Sequence, residues 1–99
     1  MRIFLVDDSV AFLEAATAFL STAPGIEIVG RALSSREALT QVTQLRPDVV
    51  LLDLAMPDMN GLETARRIKA APHAPRVIIL TLHDDPEYRI AAKIGRAHV

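Results

Sequence analysis

The 99-residue chain contains no cysteine. That absence excludes disulfides, thiolate metal sites and a cysteine nucleophile, and it suits a reducing, cytoplasmic setting. Net charge is equally scarce, since 11 basic and 12 acidic side chains leave a formal charge of −1 with the two signs interspersed. Such a balance gives neither a basic footprint for nucleic acid nor a cationic face for a membrane surface. No apolar run approaches the length that spans a bilayer, and the N-terminus enters a short strand-like segment instead of a signal peptide. Internal repeats, linkers and low-complexity tracts are missing as well. What the chain does have is apolar residues, 51% of the total, enough for a single domain around an ordinary core.

Those apolar residues come in two alternating textures. Arg2 to Val6 (RIFLV), Asp48 to Leu52 (DVVLL) and Arg76 to Leu80 (RVIIL) are short, continuous, Val- and Ile-rich runs, the pattern of strands buried on both faces. Ile26 to Val29 (IEIV) alternates apolar with polar, as an edge strand open to water on one side would. Helical spacing fills the gaps. Phe12, Leu13, Ala16, Phe19 and Leu20 share one face behind Ser9 as N-cap. Ser34 with Glu37 forms a capping-box pattern ahead of Ala38, Leu39, Val42 and Leu45. A third helix carries Leu62, Ala65 and Ile68 inward and stops near Ala71, before Pro72. Asp85-Pro86 opens a fourth helix bearing Ile90 and Ala91. The resulting β-α-β-α-β-α-β-α order implies an α/β fold, a parallel sheet with right-handed crossovers and helices on both faces.

Buried runs that end in acids are the unusual feature. The first ends in Asp7-Asp8, the third in Asp53 and the fourth in Thr81. Parallel strands all point one way, so these side chains gather at the carboxyl edge, where open α/β sheets bind ligands. With strand order 2-1-3-4, Asp7, Asp8 and Asp53 share one pocket and Thr81 lies one strand further over. Carboxylates in such proximity repel and raise one another's pKa. A hard divalent cation relieves that conflict, and an oxygen-only donor set favours Mg²⁺ over zinc or copper. A carboxylate nucleophile beside such a cation suits phosphoryl chemistry.

The segments "FLVDDS" at 4–9, "VVLLDLAMPDMNG" at 49–61 and "VIILTLHDD" at 77–85 resemble the receiver domain of two-component response regulators. The wording "LTLHDDPEY" is similar to receivers joined to LuxR/NarL-type helix-turn-helix output domains. The resemblance implies a flavodoxin-like three-layer sandwich with Asp53 as phosphoacceptor and Thr81 as switch hydroxyl. It implies Mg²⁺ held by Asp7, Asp8, Asp53 and the Ala55 backbone carbonyl. It also implies a sensor histidine kinase as phosphodonor partner, and in the intact parent a DNA-binding output domain. This segment itself would be a signalling module and not an enzyme, with no nucleic-acid or membrane partner.

Plainer readings stand beside these. Asp53 ends a strand, Asp7 and Asp8 can cap the first helix (Ser9 being better placed to do so), and β-branched Thr81 suits a strand end by packing alone. Asp58 and Asn60 belong with Pro57 and Gly61 to a shaped loop. His73, His83 and His98 lack metal-ligand spacing, and Arg66, Arg67 and Lys69 form a solvated helix face. Two other functions remain open. A Mg²⁺-dependent aspartyl-phosphate phosphatase would carry a second acid where this chain has Ala55. A binding-only pseudo-receiver would fit the lack of the family's strand-end lysine, though not the presence of Asp7, Asp8, Asp53 and Thr81 together.

The family pattern breaks after Lys93, before the expected fifth strand and fifth helix. The expectation is therefore a receiver over residues 1–93, incomplete at its C-terminus, followed by a non-native tail over 94–99. The tail Ile-Gly-Arg-Ala-His-Val is what the sequencing-adapter run ATC GGA AGA GCA CAC GTC encodes ahead of a stop.

Overall fold

The computed structural model describes residues 1–53, 55–56 and 59–80. In chain order the elements are β1 (Arg2–Val6), α1 (Val10–Leu20), β2 (Glu27–Ala32), α2 (Ser35–Leu45), β3 (Val49–Asp53), β4 (Ala55–Met56), β5 (Met59–Asn60), α3 (Gly61–Ala70) and β6 (Arg76–Leu80). The expected fourth helix, Thr81 and the 94–99 segment lie outside the described residues.

Pairing of the long strands is parallel throughout, in the order β2-β1-β3-β6. Counting only the four long strands, this is the expected 2-1-3-4. A two-residue antiparallel ladder, β4 with β5, sits apart from this sheet in the loop leading to α3.

Alternation along the strands sends side chains to two separate cores. Phe4, Val6, Val50, Leu52, Val77 and Ile79 face the side covered by α2 and α3, where they meet Ala38, Val42, Ala65 and Ile68. Ile3, Leu5, Val49, Leu51 and Ile78 face the other side, against Leu13, Ala16 and Leu20 of α1. The sheet is thus the middle of three layers, as the continuous apolar runs imply. Each wholly buried aliphatic side chain, such as Leu52 or Ile68, contributes about 1.5–3 kcal/mol of transfer free energy.

Local chemistry sets the element ends. Ser9 Oγ accepts the Phe12 N–H at 3.2 Å, the expected cap of α1. Ser34 Oγ likewise accepts from Glu37 N at 3.2 Å, while Glu37 Oε2 reaches back to the Leu33 N–H at 3.0 Å. The α2 C-terminus closes with Arg46 in the left-handed region at φ 50°, its N–H donating to Val42 O, and Pro47 prevents continuation. In β2 the register with β1 slips between Ile3 and Phe4, so that Phe4 pairs with Gly30. Gly30 is needed there, because a Cβ would sit 2.7 Å from Phe4 Cε2 and 2.9 Å from Leu45 Cδ1.

Four expectations need correction. The edge strand read as 26–29 runs from Glu27 to Ala32, because its ladder with β1 continues past a slip in register. Phe19, read as part of the apolar face of α1, is 71% exposed, because the sheet side of this short helix is filled by Leu13, Ala16 and Leu20. Leu62 likewise points outward, and its expected inward place at the start of α3 is taken by Thr64. The strand read as 48–52 begins at Val49 and includes Asp53. Asp48 instead ties the N-terminal edge, its Oδ2 accepting the Arg2 N–H at 2.7 Å.

Candidate functional site

The β1–β3 ladder ends on the pair Val6 and Leu52. One residue further along each strand come Asp7 and Asp53, so neighbouring parallel strands present these two carboxylates side by side. Asp53 is the last residue of β3 and pairs with Leu80 of β6 on its other flank. Asp7 is held by its own backbone, whose N–H donates to Ala32 O of β2 at 3.1 Å. One carboxylate oxygen from each of Asp7, Asp8 and Asp53 lies within 4.8 Å of the other two. The expectation that these three converge from opposite halves of the chain is met.

The three acids occupy different environments. Asp7 is buried, Asp53 half-buried and Asp8 exposed, so the cluster opens to solvent on one side. Asp7 Oδ1 also accepts the Ser9 N–H at 2.8 Å, which fixes the turn into α1. The plainer reading of Asp7 is therefore correct in part, since one oxygen shapes the helix entry. Burial raises the Asp7 pKa above its usual 3.8. The neighbouring negative charges of Asp53 and Asp8, and a hydrogen bond with Asp8, raise it further against the opposing pull of the Ser9 N–H. Three crowded carboxyl groups with one held towards its neutral form make an electrostatically frustrated site. Oxygen donors alone, partly open to water, fit a hard divalent cation that keeps part of its hydration shell. They do not fit a soft metal.

Ala55 follows two residues after Asp53, its backbone paired with Asn60 across the β4–β5 ladder. Thr81 is the next residue in sequence after Leu80 and lies outside the described residues. One buried polar contact escaped the sequence reading. Ser35 Oγ and Thr64 Oγ1 lie 2.7 Å apart, both residues fully buried, between the first turns of α2 and α3. Its signal was present, because Thr64 shares the helical face of Gly61 and Ile68.

The response regulator receiver domain family matches residues 3–98. The chain belongs to this family. The match runs past Lys93, the expected limit of the domain, to residue 98. Over 81 residues the chain is 42% identical to a protein-glutamate methylesterase/protein-glutamine glutaminase of Nocardioides sp., covering 82% of this chain and 22% of that protein. It is 35% identical over 92 residues to the transcriptional regulatory protein LiaR of Bacillus subtilis, covering 91% of this chain and 44% of LiaR. Among solved structures, the signal receiver domain of the response regulator NarL from Mycobacterium tuberculosis superposes with a TM-score of 0.84. It is 31% identical and covers 95% of this chain and 76% of that one.

This receiver is thus a two-component signalling domain whose family is coupled to more than one kind of output. The methylesterase activity is named for a protein of which this chain spans about a fifth. Among the described residues no helix is long and apolar enough to cross a membrane.

Proposed function

We propose that this receiver accepts a phosphoryl group on Asp53, with Mg²⁺ held by Asp7, Asp8, Asp53 and the backbone carbonyl of Ala55. The observation that carries this reading is the meeting of Asp7, Asp8 and Asp53 oxygens within 4.8 Å of one another at the carboxyl edge of the sheet. Asp53 is the nucleophile in this reading: it ends β3, an inner strand of the sheet, and is half-buried beside the exposed Asp8. Asp7 is committed to the Ser9 N–H through one oxygen and is the most buried of the three, which suits a fixed ligand. The bound cation neutralises negative charge as the phosphoryl group and the carboxylates come together.

The donor is a phosphohistidine on a sensor histidine kinase. An Asp53 carboxylate oxygen attacks phosphorus, the P–N bond breaks, and the imidazole leaves with the bonding electron pair and takes up a proton. Water later attacks the acyl phosphate, regenerating the carboxylate and releasing inorganic phosphate. Thr81 donates its hydroxyl to a phosphoryl oxygen in the loaded state, and its movement biases a two-state equilibrium. Likeness to the transcriptional regulatory protein LiaR and to a LuxR-family DNA-binding response regulator of Staphylococcus aureus supports a transcriptional output through a DNA-binding domain, with the receiver acting in the cytoplasm.

Acetyl phosphate with Mg²⁺, followed by peptide mapping of the intact chain by mass spectrometry, tests the reading. One added phosphoryl group on the Asp53 peptide is expected, dependent on Mg²⁺ and lost in Asp53→Asn. Loading elsewhere, or equal loading with EDTA present, would contradict it.

A further inference from the structure

The Ser35–Thr64 contact is out of keeping with its surroundings. Two fully buried hydroxyls meet at 2.7 Å at the side of an otherwise apolar layer built from Phe4, Ala38, Val42, Leu52, Ala65 and Ile68. A satisfied buried polar pair adds little net stability over apolar groups of the same shape, but it fixes the relative position of the elements that carry it. Valine would fill the Thr64 site nearly as well. The hydrogen bond therefore specifies geometry more than it strengthens the core.

What it positions follows from the elements. Ser35 opens α2, a helix already anchored by the Ser34 cap and by buried Ala38 and Val42. Thr64 lies in the first turn of α3, where Gly61 has no side chain, Leu62 is 41% exposed and Glu63 is only half-buried. Thr64 is thus the one buried side chain holding that turn, with Ala65 and Ile68 anchoring the helix further along. Gly61 follows directly on β5, and β5 carries β4, with Asn60 opposite Ala55. This short ladder connects the start of α3 to the backbone of Ala55.

We propose that Ser35 and Thr64 are positioning residues for the cation site, locking the first turn of α3 to α2 and so fixing the β4–β5 ladder that carries Ala55. The inference rests on the proposed function, in which Ala55 offers its carbonyl to Mg²⁺.

Isothermal titration of the full chain with MgCl₂, paired with urea unfolding of the metal-free protein, tests it in four forms: wild type, Thr64→Val, Thr64→Ser and Ser35→Ala/Thr64→Val. Thr64→Val is expected to weaken Mg²⁺ binding about tenfold, the usual scale for losing an outer support of a metal site. Thr64→Ser keeps the hydroxyl and retains the affinity. The double variant removes both hydroxyls of the pair. Its Mg²⁺ affinity is expected to stay as low as that of Thr64→Val, with urea unfolding showing that each variant remains folded. Wild-type affinity in Thr64→Val or in the double variant would overturn the positioning role alone. A wild-type chain that binds no Mg²⁺ would overturn the functional reading and this inference with it.

Discussion

Burial and the charges of Asp53 and Asp8 make protonated Asp7 the form that the metal-free fold tolerates better. A carboxyl group with a raised folded pKa contributes stability that is complete below its ordinary value and is lost as pH rises through the raised one. Without metal, the wild type should therefore lose stability relative to Asp7→Asn as pH climbs from the ordinary carboxylate range towards neutrality. The amide of the Asp7→Asn variant keeps an oxygen for the Ser9 N–H and has no charge to desolvate. Urea midpoints in EDTA across that pH range check the sign. An Asp7→Asn variant less stable than wild type at neutral pH would contradict it. In Mg²⁺ the order should reverse, because the variant has given up a ligand. Gly30 makes a separate demand at this scale. Gly30→Ala places a methyl group against the buried Phe4 ring and Leu45, and should cost about 1–3 kcal/mol in urea unfolding.

Helices in this domain are read correctly where a single strong signal decides them, and less well where a face has to be apportioned. The caps at Ser9 and Ser34 need only a hydroxyl at the right offset, and both form as expected. The apolar stripe of α1 is wider in sequence than the sheet beneath it, so Phe19 is left outside. At α3 the inner face was read from the apolar Leu62, Ala65 and Ile68 alone, whereas Thr64 takes a buried place there by finding a partner on a helix distant in sequence. Strand β2 outruns its alternation because the ladder continues through Gly30 and Arg31 to Ala32 after a slip in register that no local pattern encodes. Contrasting substitutions make the apportioning measurable. Ile68→Ala, at a site only 1% exposed, should cost about 2–5 kcal/mol. Phe19→Ser should change stability by less than about 0.5 kcal/mol in the same urea assay, as exposed positions do.

At the scale of the whole molecule, the parallel sheet is what makes the site. Asp7 and Asp53 become neighbours only because β1 and β3 pair directly, which places each acid one step beyond the Val6–Leu52 pair. That much was legible in the sequence, since three buried runs and their polar ends, combined with one strand order, dictate the meeting. The same logic located neither the Ser35–Thr64 contact nor the environment of each acid, because both depend on how helices settle against the sheet. Carboxyl-carbon NMR of the aspartates during a Mg²⁺ titration reads the shared cation most directly. Asp7, Asp8 and Asp53 should shift together with a single dissociation constant, while Asp48, at the opposite edge beside Arg2, stays still. An Asp53 resonance that does not move while Asp8 titrates would show that no common ion joins them.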